Sequence, residues 1–238
     1  MMKYLYSEIA DKLEESIKKG EYGTHQKLPS ENDLSFQYET TRLTIRKAIS
    51  ELEKRQVVVK DRNKGTFALA PETKISSGIN GLVGFTEAAE RRNLPAETKL
   101  LDLEDVKEIP KQVQEQLQVT KNASFWKIER LRLIDNEPMT HEKIYIQKKF
   151  VPDLNGENAT GSLFKLIETN VAIAYASQEL ESVILDGEIG RLLHAKEHMP
   201  GFLAYTTSYS VNGYPVLYDE SYYRSDKYTF HNILYRNH

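Results

Sequence analysis

The sequence predicts an α+β chain in two parts, a helical and locally basic head followed by a longer strand-rich body. Three observations carry this. Apolar residues recur at helical spacing through the first 56 positions, and strand-like alternation dominates beyond about residue 98. Between them the stretch 71–81, PETKISSGING, is rich in Pro, Ser and Gly and has little periodicity. Charge divides along the same line. Residues 1–70 hold 13 Lys and Arg against 11 Asp and Glu, a net of +2, whereas the remaining residues hold 19 against 24, a net of −5. The window 41–67 is sharper, with Arg42, Arg46, Lys47, Lys54, Arg55, Lys60, Arg62 and Lys64 against Glu51, Glu53 and Asp61, a net of +5. The whole-chain charge of −3 therefore hides a basic patch and does not exclude a nucleic-acid partner. The expected division is 1–70, a linker at 71–79, and 80–238.

The head reads as three helices and a hairpin. Leu5, Ile9, Leu13 and Ile17 mark one face of a first helix that ends at Gly20. Ser30 is placed to cap a short second helix running to about Tyr38, with Glu31 favouring the helix dipole and Asp33 at the reciprocal capping position. Thr40 and Thr41 cap a third, whose buried face is Ile45, Ala48, Ile49 and Leu52 and whose other face shows Arg42, Arg46 and Lys47. Val57-Val58-Val59 and Thr66-Phe67-Ala68-Leu69 flank the turn Asp61-Arg62-Asn63-Lys64-Gly65.

A short helix, a tight connection and a basic helix form a helix-turn-helix, and the hairpin adds a wing. A helix fits the major groove of B-DNA, and its first residues meet base edges. Arg42 and Arg46 lie one turn apart and project together toward guanine or phosphate. Thr41 and Thr44 suit phosphate or a thymine methyl. Lys64-Gly65 at the wing tip permits close approach to the backbone, since Gly leaves no side chain in the way.

In the body, Gly84-Phe85-Thr86 opens a helix through Arg92 with Thr86 as cap, and a helix start can hold an anion. Phe125–Ile134 alternates so that Trp126, Ile128, Arg130, Arg132 and Ile134 share one side. Arginine on an apolar side is expensive unless paired; an internal carboxylate or a bound phosphate or carboxylate relieves the cost. Asp135-Asn136-Glu137-Pro138 turns the chain into Met139–Ile146. Residues 161–168 read as a helix, Tyr175–Val183 as a strand, and 186–194 as a helix. Asn212-Gly213 joins Phe202–Val211 to Tyr214–Tyr223 as a hairpin. Eight of the 14 tyrosines fall between 205 and 235, a density that fits half-buried sheet positions or a polar pocket.

The head resembles the GntR family of bacterial transcription regulators. Leu28-Pro29-Ser30-Glu31, Thr41-Arg42-Leu43-Thr44-Ile45-Arg46-Lys47-Ala48-Ile49 and Lys64-Gly65-Thr66-Phe67 follow its pattern of LPSE-R, S-R-x-T-V-R-x-A-L and G-x-G-T-F. Asn32, Thr41 and Asn63 depart from it, and Asn32 removes one cation. The resemblance implies that a dimer binds double-stranded operator DNA. The DNA-facing set is then Ser30, Glu31, Thr41, Arg42, Thr44, Arg46, Lys47, Lys64, Gly65 and Thr66.

The body is similar to the UTRA domain of the HutC subfamily, on Gly81–Thr86, Glu129-Arg130-Leu131-Arg132 with Pro138, Ser162-Leu163-Phe164 and Tyr222–Phe230. That resemblance implies an antiparallel sheet with flanking helices, like chorismate lyase, and a small anionic effector such as a sugar phosphate or organic acid. It assigns Phe85, Thr86, Arg130 and Arg132 to the anionic group, and Ser162, Glu220 and Tyr228 to the sugar or polar end.

Other classes find less support. The absence of cysteine excludes disulfides and thiolate chemistry. No apolar run reaches the ~18 residues of a membrane span, and the N-terminus lacks a signal peptide's apolar centre. No nucleophile motif, metal spacing or acid/base dyad stands out, and His141 and His198 read as surface residues. A cytoplasmic homodimeric repressor with no cofactor and no metal is the expected reading. A lyase-like enzyme acting on an anionic substrate and an architectural DNA-binding protein are the competitors.

Overall fold

The computed structural model describes residues 4–230 except 56, 62, 63, 70–74, 78–81, 92, 93 and 120–122. Chain contacts divide it into two units, residues 1–73 and 74–238. Arg62, Asn63, Gly81, Arg92, Tyr235 and most of the stretch expected to link the units lie outside the described residues.

The first unit is built as its patterning predicts. Helix α1, Leu5–Lys18, buries Ile9, Ala10, Leu13 and Ile17. Leu5, expected on that face, is exposed because it opens the helix beyond the reach of the core. Gly20 (φ 80°) stops the helix. Its N–H donates to the Ile17 carbonyl at 3.0 Å, and that of Glu21 to Ser16 at 3.0 Å, which completes a Schellman turn. Helix α2, Glu31–Gln37, begins with a full capping box between Ser30 and Asp33. Helix α3, Arg42–Lys54, begins at Thr41, whose hydroxyl accepts from the Thr44 N–H. Strands β1 (Val58–Asp61) and β2 (Gly65–Ala68) pair antiparallel as the wing. The core is α1, α2 and α3 packed through Leu13, Leu34, Ile45, Ile49 and Leu52, closed by Val58 and Ala68.

The second unit is a six-stranded antiparallel sheet in the order β4-β5-β6-β9-β8-β7. The strands are β4 Ala96–Val106, β5 Phe125–Ile134, β6 Glu137–Gln147, β7 Ile173–Leu185, β8 Met199–Ser210 and β9 Pro215–Arg224. The β5–β6 turn places both Asp135 (φ 50°) and Asn136 (φ 62°) left-handed, the two-residue turn whose twist matches antiparallel strands. A further ladder joins β3, Ile75–Ser77, in parallel to β10, Tyr228–Phe230. Three residues of the stretch expected to be a linker are therefore strand, because the segment after β9 offers them backbone partners.

Each sheet face has its own cover. On one lie the segment 151–167 with helix α6 (Leu163–Ile167), and helix α4 (Phe85–Arg91) with β10. On the other, helix α5 (Lys111–Gln116) packs at one end and helix α7 (Gly187–Leu192) at the other. Strand β4 and α5 fall in the stretch before Phe125, where no sequence pattern stood out.

Gly190 shows how tightly α7 is seated. A β-carbon there would lie 2.7 Å from the Leu185 backbone oxygen, which cannot give way as a side chain can. Helix propensity favours Gly190→Ala by about 1 kcal/mol, whereas overpacking costs about 1–3 kcal/mol. The clash should win, lowering the urea midpoint of unfolding. An unchanged or raised midpoint would show that α7 can shift freely.

Candidate functional site

Two sites emerge, one in each unit. In the first, α3 presents Arg42, Leu43, Arg46 and Lys47 to solvent. Glu31, at the start of α2, reaches across to them. Its Oε2 accepts from Arg46 Nε at 3.3 Å and Nη2 at 3.1 Å, and its Oε1 accepts from Lys60 Nζ at 2.7 Å. Arg42 Nη2 lies 3.9 Å away. The Lys60 ammonium, helped by Arg46, holds the Glu31 carboxyl below its ordinary range despite partial burial. Glu31 thereby holds Arg46 and Lys60 in position beside α3. The Thr41 and Thr44 hydroxyls are 2.9 Å apart and bonded to one another.

The wing differs from expectation at one position. Thr66 is buried, because β2 turns Thr66 and Ala68 inward and leaves Phe67 half-buried. Gly65 (φ 112°) holds a left-handed backbone that strains any side chain, and Lys27 Cε lies 2.6 Å from where a β-carbon would stand. Lys27 thus crosses the wing beside Lys64, held by a bridge to Phe67. Sequence reading missed this cation because it lies between α1 and α2 with no motif of its own. Arg55 adds nothing to the exposed charge: it pairs with Asp11 (2.6 Å), Glu14 (3.1 Å) and Glu51 (3.4 Å) and ties α3 to α1.

In the second unit, a cavity of about 430 Å³ opens on the α4 and α6 side of the sheet. Phe85, Thr86, Arg130, Arg132, Ser162 and Tyr228 all line it, drawn from α4, β5, the start of α6 and β10. Glu220 does not. Strand alternation turns it to the opposite face, where it accepts from the Tyr218 hydroxyl at 3.2 Å, and Asp219 faces the cavity instead.

The two arginines have unequal partners. Arg130 and Glu142 are directly opposed across β5 and β6. Arg130 gives Nε (3.0 Å) and Nη2 (2.5 Å) to Glu142 Oε2, and Nη1 to the carbonyls of Ala159 (3.0 Å) and Gly161 (3.2 Å). Arg132 gives Nη2 to the Thr86 hydroxyl at 2.5 Å and lies 3.9 Å from Glu142. Its guanidinium sits 4.8 Å from the centre of the Phe85 ring. Its Nε has no hydrogen-bond partner, although Arg132 is only 2% exposed. Thr86 is thus a partner for Arg132 rather than a helix cap; the first bond of α4 is taken by the Gly84 carbonyl, from Ala88 N–H at 2.9 Å.

Electrostatics follow from this placement. Burial pushes the Glu142 carboxyl up, but Arg130 and Arg132 outweigh it and hold it below its ordinary value. Burial pulls the Arg132 guanidinium down, and Glu142 only partly offsets that. Asp219 is pushed well above its ordinary value by burial and then by the Glu142 charge, while accepting from the Ser221 hydroxyl at 2.9 and 2.8 Å. Arg130 already holds Glu142, so Arg132 is left with the Thr86 hydroxyl, a carboxylate 3.9 Å away and an unmet Nε donor.

His141 is buried on the opposite face, contrary to the surface position expected, because β6 is an inner strand. Burial lowers its pKa, and its Nδ1 is without a partner. His198 is exposed. Among the described residues no cluster of metal-ligating side chains forms, and no helix is long and apolar enough to cross a membrane.

Comparison with known proteins matches each of the two units to a family. The family of bacterial regulatory proteins, gntR family, matches residues 5–68, and the UTRA domain matches residues 91–229. The chain is similar to the HTH-type transcriptional repressor NagR of Bacillus subtilis, 30% identical and covering 98% of this chain and 95% of that protein. It is similar to MngR of Escherichia coli, the mannosyl-D-glycerate transport/metabolism system repressor, 28% identical over 98% and 97% of the two chains. In fold it is similar to the crystal structure of YydK from Bacillus subtilis, with a TM-score of 0.71 at 22% identity over 99% of this chain and 100% of that one.

The raised Asp219 pKa has a stability consequence of definite sign. A carboxyl raised above its unfolded value of about 3.9 stabilises the fold below that pH and loses this contribution as pH rises through the folded pKa. Asp219→Asn has no such proton. The stability of the wild type relative to D219N, read as urea midpoints, should therefore fall progressively above about pH 4. A constant difference would contradict the burial of an ionisable carboxyl here.

Proposed function

Since this chain belongs to the GntR family, carries a UTRA domain and is a DNA-binding transcription regulator, we propose that it is a repressor released from its operator by a small anionic ligand. The observation that carries this reading is Arg132, buried with an unpartnered Nε in the wall of the cavity. A phosphate or carboxylate supplies the missing acceptor, and bidentate contact with a guanidinium is the strong form of that bond. Arg130 acts behind it, its donors already engaged by Glu142 and two carbonyls. Ser162 caps α6 through the Lys165 N–H at 3.3 Å and keeps its own hydroxyl hydrogen to donate. Gln178, Thr206 and Asp219 line the same cavity and suit the hydroxyls of a sugar-like body. MngR is named for a sugar joined to a carboxylic acid, which is the chemistry that two such ends select.

Operator binding falls to Arg42, Thr44, Arg46, Lys47, Lys64 and Lys27, on a near-palindromic site read by a dimer. Release needs an effector with different affinity for two arrangements of the dimer, worth typically about 1–3 kcal/mol. Tyr228 supports a route for it. Tyr228 lines the cavity and is in register with Ile75, the first strand residue after the unit boundary.

A single pair of variants tests the division of labour, on a DNA fragment selected from random sequence by the wild-type chain. In gel-shift titration at fixed salt, Arg46→Ala should weaken binding by at least tenfold. Arg132→Ala should bind as the wild type does but fail to release when sugar phosphates and organic acids are added. Release of R132A by the compound that releases the wild type would refute the cavity assignment.

A further inference from the structure

The two edges of the six-stranded sheet are not alike. Strand β4 is an edge guarded in the usual ways: it is broken by a register shift between Leu100 and Asp102 and carries Glu97, Lys99, Asp102, Glu104 and Asp105. Strand β7 is guarded less: its register shift lies at its very start, between Ile173 and Tyr175, and its charges are two, Glu179 and Glu181. It is 13 residues long, pairs with β8 without interruption from Tyr175 to Leu185, and contains no Pro, Lys or Arg. Among the described residues its outer edge has no strand partner. On its cavity-side face Leu180 and Ile184 are 41% and 51% exposed. A long, regular edge with exposed apolar side chains is a template for another strand.

We infer that β7 is where two copies of this chain meet, antiparallel about a two-fold axis through Ser182, so that the two sheets become one. A two-fold contact must be self-complementary, and this register is. Leu180 of each copy lies opposite Ile184 of the other, which covers both exposed apolar side chains twice over. Glu181 falls opposite Val183 and Glu179 opposite Leu185, so the only two charges of the strand avoid one another. The register about Glu181 sets that residue against its own copy, and the one about Leu180 sets Glu179 directly against Glu181; both are disfavoured, since like charges directly opposed destabilise a strand pair. Ser182, small and central, meets its own copy. The same strand also walls the effector cavity: Ala174, Ala176 and Gln178 line it, and Gln178 Nε2 donates to Thr206 Oγ1 at 2.9 Å. A ligand seated there therefore touches the strand that joins the copies, four residues from the axis.

This rests on the dimer reading above and fixes its surface. The native chain has no cysteine, so single cysteines report the register cleanly in the full chain. Ser182→Cys should form a covalent dimer under mild oxidation, opposed residues lying about 4.5–5.5 Å apart between β-carbons. Glu179→Cys should not, its two copies being six residues apart, roughly 20 Å. Leu180→Lys with Ile184→Lys should sediment as a monomer at concentrations where the wild type is a dimer. A dimeric wild type with no S182C cross-link, or a dimeric double-lysine variant, would overturn the β7 assignment and leave the dimer to another surface. A monomeric wild type would overturn both.

Discussion

Glu142 stands between two buried guanidiniums, and the effector unit is arranged around that inequality. A buried arginine is tolerable only when its donors and charge are met. Glu142 meets Arg130 in full, with help from two carbonyls, and can only approach Arg132. The register shift between Arg132 and Leu133 fixes this outcome: the Asp135-Asn136 turn alone would set His141 opposite Arg130, and one extra residue on β6 brings Glu142 there instead. The Thr86 hydroxyl takes one Nη of Arg132 and leaves its Nε without a partner.

The DNA-binding unit uses the same device in the opposite sense. Glu31 also gathers Arg46, Lys60 and Arg42, but at the surface, where such pairs are worth at most about 1 kcal/mol and break readily. There the carboxylate holds cations in position without satisfying them for good. In the interior Glu142 is bound by Arg130 and only approached by Arg132. One sequence thus uses carboxylate–guanidinium pairing once at the surface and once in the core.

Local chemistry made the head legible. Ser30, Thr41 and Gly20 set helix ends that the structure reproduces, and the buried face of α3 follows from spacing alone. Thr66 was misplaced because a motif names a residue without saying which way its strand faces. The body was read less well where long-range pairing decides. Arg130 and Arg132 were legible as arginines on an apolar side, with an internal carboxylate or a ligand left open as the remedy; the structure gives the first remedy to Arg130. Counting back from the Asp135-Asn136 turn gives His141 opposite Arg130; only the one-residue register shift beyond Leu133, which has no local signal, brings Glu142 there. Glu220 was chosen over Asp219 for want of the strand's phase. Strand β4 and the β3–β10 ladder had no local signal, since both exist through partners distant in sequence.

That the under-partnered Arg132 takes an anion is the central claim, and inorganic phosphate is the simplest probe of it. Thermal unfolding of the full chain in phosphate and in chloride, at matched ionic strength, should show a higher Tm in phosphate for the wild type and none of that gain for Arg132→Ala. Ligand binding to the folded state alone stabilises by about 2.7 kcal/mol at 100 times its Kd, ample for a measurable shift. Equal Tm values in the two salts for the wild type, or an equal gain in the Arg132→Ala variant, would contradict the claim.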